Sequence, residues 1–397
     1  MNKFTLIIDG NYLLYSTLSV MKLFSKNNEM FLKGNNEETL RKDTNFLLEK
    51  LSQIYAKDIR SLGPIIDDVI ITIDDSNSWR KDLYLTKDYK GIQKDLSYKG
   101  NRKKDKSIDF SNIFNVFDSF VKGLAISCNL NFKAIPGCEA DDLIFVHSSY
   151  LNSQGKSTII YSGDGDLKQC VGFDKSKNTF TIQYQKQNRK LWIDKETALY
   201  LKENQKTYAV DCLRSVVNNT SSKLSVVNPF EIVIEKILGG DISDNIVPII
   251  TESRQYGPKA KKAGQWFNTG IADATIKNIK KEIDFSKFNV EDLFRTDFKR
   301  KLASSAIRNF KSQNKYSIED VQNNVDVNIN LVLLHKDTIP SYLYNDIFNW
   351  SEETYKKKKC EVQKQFNYKN LLMSMKLYDK KAHDNSSSAS IFKELGL

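Results

Sequence analysis

Ser157-Thr158-Ile159-Ile160-Tyr161-Ser162-Gly163-Asp164-Gly165-Asp166 is the stretch that decides the fold. Its first half is apolar and β-branched, which suits a strand buried on both faces of a parallel sheet. Its second half is glycine-rich and acidic. The same arrangement occurs twice upstream. Phe4-Thr5-Leu6-Ile7-Ile8 runs into Asp9, within Asp9-Gly10-Asn11, and Asp68-Val69-Ile70-Ile71-Thr72-Ile73 runs into Asp74-Asp75. Helical patterns lie between these strands, from Glu38 to Tyr55 and from Phe110 to Leu124. Strands alternating with helices imply an α/β fold with a mostly parallel, twisted sheet flanked by helices. Ligands of such sheets bind beyond the carboxyl ends of the strands, so Asp9, Asp74 and Asp164 are expected at one edge.

Shortly before the deciding strand, Glu139-Ala140-Asp141-Asp142 follows Pro136-Gly137 and opens a helical pattern over Ala140 to Tyr150. Glu139 and Asp142 are three apart and share a helical face. Two readings stay open for this acidic turn: a complement to the helix dipole, or ligands for a cation. The nearness of Asp164 and Asp166 in sequence tips the balance to the cation. A further acidic pair, Asp241 and Asp244, stands in Gly240-Asp241-Ile242-Ser243-Asp244-Asn245, after a helical pattern from Pro229 to Leu238 that Gly239-Gly240 stops. The chain as a whole has a formal net charge of +11. A basic protein that gathers acids at a few points is expected to hold a cation there. Oxygen ligands suit Mg²⁺, with Mn²⁺ as a substitute, and two such ions side by side can drive phosphodiester hydrolysis.

The sequence pI of about 9.1 points to an anionic partner, nucleic acid first; the abundance of Lys and Asn also fits an AT-rich genome. Between Trp79 and Phe110 the chain is strongly basic: Arg80-Lys81, Lys90, Lys94, Lys99, Arg102-Lys103-Lys104 and Lys106, with Tyr84, Tyr89 and Tyr98 interleaved. Cations among aromatics suit phosphate contacts and base stacking, and a solvated loop has the same composition. Gly257-Pro258-Lys259-Ala260-Lys261-Lys262 is expected to open a basic helix whose N-terminus faces phosphate. Five cysteines without a Cys-x-x-Cys pair argue against a zinc site and a disulfide framework, and a reducing cytoplasm is expected. Three histidines give Ser–His catalysis no support. The N-terminus reads as a strand rather than a signal peptide, and no run has the length of a membrane span. Residues 1–230 are expected to form the α/β domain, with a basic arch at about 80–110. Residues 231–380 are expected to form a helical DNA-binding region. Residues 381–397 read as a polar tether ending in Ile391-Phe392-Lys393-Glu394-Leu395, either a short docking peptide or a fraying helix.

Taken together, Asp9-Gly10-Asn11, Asp74-Asp75 with Trp79-Arg80 and Tyr89-Lys90, Glu139 to Asp142 with Ser162 to Leu167, and Gly240 to Asn245 resemble the 5′ nuclease, or flap endonuclease, family. The likeness is to its T-even bacteriophage branch of RNase H-type 5′→3′ exonucleases, and it spans roughly residues 4 to 250. The resemblance implies a PIN-like α/β core, an arch containing Lys94 to Lys106, and a helix–three-turn–helix element that grips duplex DNA. It implies removal of RNA primers, 5′ ends or flaps during phage DNA replication. By position, Asp9, Asp74, Glu139, Asp141, Asp142, Asp164, Asp166, Asp241 and Asp244 match the family acids around two divalent ions. Asp75 is a neighbour without a counterpart. Arg80 and Lys90 match the basic residues that face the scissile phosphate, with Lys87 as a rival to Lys90, and Tyr89 is placed to stack on the terminal base. The glycine hairpin that often binds K⁺ in the family is missing at Ile249 to Pro258. The C-terminal tip is similar to clamp-binding tails, so Ile391, Phe392 and Leu395 are expected to dock a sliding clamp. A single-strand DNA-binding protein is a further expected partner, and a monomer is expected. The rival readings are a PIN-type ribonuclease and a DNA-binding protein without catalysis.

Overall fold

A computed structural model describes residues 3–63, 65–92, 98–100, 105–204, 208–255, 266–271, 273–310 and 315–357. The expected nucleic-acid contacts Lys94, Arg102, Lys103, Lys104, Lys259, Lys261 and Lys262, and the tail residues Ile391, Phe392 and Leu395, lie outside the described residues.

The chain opens with β1 (Phe4–Asp9), α1 (Gly10–Val20), α2 (Glu37–Leu62), β2 (Ile66–Thr72), α3 (Trp79–Thr86), α4 (Phe110–Cys128) and β3 (Asn131–Lys133). It continues through α5 (Ala140–Ser153), β4 (Thr158–Tyr161), a 3-10 turn at Asp166–Cys170, β5 (Gly172–Asp174), β6 (Thr179–Gln185) and β7 (Lys190–Asp194). Then come α6 (Lys195–Glu203), α7 (Tyr208–Thr220), β8 (Lys223–Val227), α8 (Pro229–Gly239), β9 (Thr251–Gln255) and β10 (Trp266–Gly270). The described chain closes with α9 (Asp273–Glu282), α10 (Thr296–Asn309), α11 (Ile318–Val332) and α12 (Ser341–Lys356).

Strands run in the order β3-β2-β1-β4-β6-β7-β8, with β5 paired to β6. The pairs from β3 to β6 are parallel, β7 is antiparallel to β6, and β8 is parallel to β7. All six residues of β1 are buried, as a central strand covered on both faces requires. Register brings the acidic strand ends level. Asp9 pairs with Thr72, two residues before Asp74, and Ile8 pairs with Tyr161, so Ser162 lies beside Asp9.

One apolar core fills the space between the sheet and α1, α2 and α4. A second is built by α8, α9, α10 and α11, and it takes in Tyr84, Tyr89 and Tyr98 from the basic segment. These tyrosines are therefore core residues and not an exposed stacking surface. Each hydroxyl also has an internal acceptor: Tyr84 donates to Asn245 O at 3.0 Å, Tyr89 to Asn328 Oδ1 at 2.6 Å and Tyr98 to Asp244 Oδ2 at 2.9 Å. A third cluster packs α12 onto α5 through Leu343, Ile347 and Trp350 against Leu143 and Val146, so residues beyond 231 pack back against a helix of the α/β region. The region after Phe230, expected to be mainly helical, is interrupted by the antiparallel hairpin β9–β10. Cys128, Cys138 and Cys170 are free thiols. Among the described residues, no helix is long and apolar enough to cross a membrane.

Candidate active site

Beyond the carboxyl ends of β1, β2 and β4, the loops and helix starts deliver carboxylates to one place. Asp9 ends β1 and caps α1, accepting from Tyr12 N at 3.0 Å with one oxygen and from Ser162 Oγ at 2.8 Å with the other. Asp74 accepts from the Asn11 side-chain amide and from Ala140 N, the latter at 2.6 Å, and so links the first two strand ends to the start of α5. Asp164 sits in a turn held by Ser162 Oγ, and it accepts from Asp166 N at 2.9 Å. That turn leans on the sheet, because Gln183 donates to Ser162 O and Asp164 O, and Gln185 to Gly163 O. Gly163 is required there: a Cβ would stand 2.4 Å from the Tyr12 ring. The loop after α8 is closed by paired backbone bonds between Asp241 and Ile246 at 2.9 and 2.8 Å. Gly240, at φ +72°, makes the turn into it, a left-handed conformation that glycine adopts without strain.

Glu139 and Asp142 form a capping box at the start of α5, with Glu139 N donating to Asp142 Oδ2 at 3.1 Å. Asp142 is fully buried, and its oxygens are engaged otherwise than sequence position suggests. Arg80 donates from Nη1 and Nη2 to Asp142 at 3.0 and 2.7 Å, and Trp79 Nε1 adds a bond of 3.0 Å. Arg80 also reaches Glu139 Oε2 at 3.2 Å and donates from Nε to Leu331 O at 3.1 Å. The bidentate fork is buried with its partners. Arg80, expected to face the scissile phosphate, is thus a buried clamp, and Asp142, expected among the metal ligands, is its counter-ion. Tyr89, expected to stack on a base, is buried with its hydroxyl on Asn328. Lys90 is exposed, its backbone held at both ends by Asn324. Lys87 is exposed at the end of α3. Asp75 accepts from Gly137 N at 2.7 Å and shapes the turn before α5.

Besides Arg80, Lys99 and Lys236 also meet the acids. Lys99 Nζ lies 2.6 Å from Glu139 Oε1 and 3.9 Å from Asp244 Oδ2, and its backbone N–H bonds Asp244 O at 2.8 Å. Burial alone would lower the Lys99 pKa, but Glu139 and Asp244 outweigh it and hold the ammonium charged. Lys236 on α8 bridges Asp166 and Asp241, the second at 2.5 Å. Sequence reasoning placed Lys99 in the arch and passed over Lys236. The sequence did contain a signal for the first: Tyr-Lys-Gly occurs twice, at Tyr89-Lys90-Gly91 and at Tyr98-Lys99-Gly100.

Charge at this site does not balance. Desolvation, Asp74 and Asp164 push Asp9 up to about 7, against the pull of its bonds from Tyr12 and Ser162. Desolvation and then the charges of Asp164, Asp9, Asp74 and Glu139 hold Asp141 well above the usual carboxylate range. Desolvation also raises Asp74 and Asp164. Glu139 goes the other way, because Arg80 and Lys99 overcome its burial. An all-oxygen donor set with surplus negative charge fits hard divalent cations. The acids are not drawn into a tight cage. Among the described residues, three potential ligand atoms lie within 4.8 Å of one another only at Glu291, His335 and Asp337, none of which belongs to this cluster.

Two solved structures from bacteriophage T5 are similar to this chain. One is its flap endonuclease in a pseudo-enzyme–product complex with DNA and metal ions, at 14% identity over 89% of this chain and 100% of that one, with a TM-score of 0.47. The other is its 5′-exonuclease with bound zinc, at 14% identity over 88% and 99%, with a TM-score of 0.45. No curated protein matches. The family model of the 5′-3′ exonuclease N-terminal, resolvase-like domain matches residues 4–202, half of the chain. With its sheet, its strand-end acids and this match, the chain belongs to the 5′-3′ exonuclease family and is a phosphodiester-cleaving nuclease.

Proposed function

We propose that the protein is a divalent-metal-dependent 5′→3′ nuclease that removes 5′ ends, flaps and RNA primers from duplex DNA during phage DNA replication. The observation that carries this reading is the convergence of Asp9, Asp74, Asp141 and Asp164 from four separate segments, where desolvation and mutual repulsion outweigh the pull of Lys99 and Lys236. Such repulsion destabilises the metal-free protein, and a core has no use for it. In this reading Asp9, Asp74, Glu139, Asp141 and Asp164 would hold one Mg²⁺, and Asp166, Asp241 and Asp244 would serve a second ion. Bound divalent ions supply an acidified water and neutralise charge on the phosphate.

The chain's own residues do the positioning. Asn11 and the Ala140 N–H orient Asp74, and Ser162 orients Asp9. Lys99, in place of Lys90, donates to the oxygens of the scissile phosphate as charge builds there. Glu139 keeps that ammonium aimed until substrate arrives. The helices α8 to α11 and the basic segment from Lys94 to Lys106 would carry the duplex, and residues 391–395 would dock a sliding clamp.

The test is cleavage of a 5′-labelled flap and of a nicked RNA–DNA hybrid, in Mg²⁺ and in EDTA, by the wild type and Asp164→Asn. Metal-dependent product released from the 5′ end, absent in the variant, is expected. Tight junction binding without any cleavage would overturn the reading. Millimolar Mg²⁺ should also raise the melting temperature through preferential binding to the folded state.

A further inference from the structure

On the flank of the acidic turn, on the sheet face opposite the first core, lies a group of side chains that the active site does not use. Leu191 and Ile193 of β7 point into the core, so Lys190 and Trp192 share the other face. Trp192 is fixed: its indole N–H donates to Gln185 Oε1 at 3.1 Å, and Gln185 in turn holds Gly163 O of the acidic turn. Two ammonium groups converge on that one ring. Lys190 Nζ is 5.0 Å from the centroid and Lys168 Nζ, from the 3-10 turn after Asp166, is 4.2 Å from it. Lys168 is half-buried.

Two like charges gathered on one ring gain cation–π attraction but repel each other. An anion within reach of both ammonium groups removes the repulsion. Because the ring already carries ammonium groups, the ligand that fits is an anionic group and not a stacked base. Lys168 lies two residues after Asp166, and Gln185 ties Trp192 to the turn that carries Asp164, so the group flanks the acidic cluster.

We propose that Lys168, Trp192 and Lys190 form a phosphate subsite that binds the nucleic-acid backbone beside the active site. Trp192 positions the two lysines, and the lysines contact phosphodiester oxygens. The subsite reads charge and carries no sequence preference. This inference rests on the nucleic-acid substrate proposed above.

The test uses the full chain and a fluorescently labelled forked DNA duplex with a 5′ flap. Binding is measured in EDTA, so that no cleavage occurs, across 50–200 mM KCl, a range chosen for the steep salt dependence of phosphate contacts, roughly one unit of log–log slope per contact. The double variant Lys168→Ala with Lys190→Ala should bind about tenfold more weakly, with a log–log salt slope shallower by about 2. Trp192→Leu should weaken binding, while Trp192→Phe, which keeps an aromatic face, should bind nearly as the wild type does. Lys42→Ala, an exposed lysine paired with Glu38 on α2, controls for loss of a remote charge. An unchanged affinity and slope in the double variant overturns the subsite. So does a loss of affinity without a change in slope, because the lysines would then act through folding and not through phosphate. Absence of metal-dependent cleavage by the wild type would instead defeat the nuclease reading, so the two failures are distinguishable.

Discussion

Asp141 and Asp142 are neighbours in the first turn of α5, yet they sit in opposite electrostatic surroundings. Asp142 faces the floor of the site, where Arg80 and Trp79 answer its charge from three donor atoms. Asp141 is half-buried on the acid-lined side, where desolvation and the charges of Asp164, Asp9 and Asp74 oppose its ionisation. One helix start therefore serves two regions, a neutralised floor that holds structure and an overcharged mouth that is suited to metal and substrate. An acidic motif in a sequence does not say which of its carboxylates are already paired by the protein itself.

The largest effect should come from breaking the floor. Arg80→Ala leaves the Asp142 carboxylate buried and unpaired, and should cost about 3–5 kcal/mol in urea unfolding. Arg80→Lys should rescue little, because one ammonium cannot replace a bidentate fork. If Arg80→Ala folds normally and loses only activity, the floor is catalytic after all. Next comes the mouth: Lys99→Ala should lower kcat by roughly 10²–10³-fold, as removal of a single charge-stabilising donor does, with a smaller loss of melting temperature than Arg80→Ala because Glu139 keeps Arg80 as a partner. Lys90→Ala should stay near the wild-type rate, and the reverse ranking would return the role to Lys90.

A third prediction probes the far side of the same helix. His147 is fully buried against Trp350 of α12, with ring centroids 4.8 Å apart, and burial pushes its pKa down from 6.5 to about 3. The unfolded chain therefore binds a proton that the folded chain refuses, and stability is lost as pH falls from 6.5 towards 3. At pH 5 the loss is about 2 kcal/mol. His147→Leu should remove that part of the pH dependence, and identical slopes for variant and wild type would show that the imidazole is hydrated or paired. The smallest effect sharpens the contrast between the two aspartates. Asp141→Asn should stabilise the metal-free protein by about 1–2 kcal/mol, since it removes repulsion, and this gain should vanish in Mg²⁺. Asp142→Asn should instead destabilise the protein in both conditions.

Much of this architecture is written locally. The runs Phe4 to Ile8, Asp68 to Ile73 and Ser157 to Tyr161 are continuous and end in acid, so the parallel sheet and its acidic edge follow from short stretches of chain. The extension through β6, β7 and β8, which reverses direction between β6 and β7, is not, because Gln183 and Gln185 interrupt the apolar pattern for reasons visible only in space: they hold the turn at Gly163 and Asp164. Lys99 and Lys90 stand in the same Tyr-Lys-Gly surroundings, and no local rule ranks them. Only contact with Glu139 and Asp244 separates the two. Arg80 misleads in the opposite way, since its partner Leu331 lies 251 residues away.

That last contact has a consequence for the order in which the protein comes into being. A chain made from its N-terminus has synthesised Asp9, Asp74, Glu139, Asp141 and Asp164, with the strands that carry them, long before α11 exists. Until Leu331 is in place the guanidinium lacks one acceptor, and until α12 follows, the outer face of α5 lacks its cover. Completion of the centre therefore waits on contacts between residues far apart in sequence. A nascent or truncated nuclease can thus bear all its carboxylates and still lack a finished cutting edge.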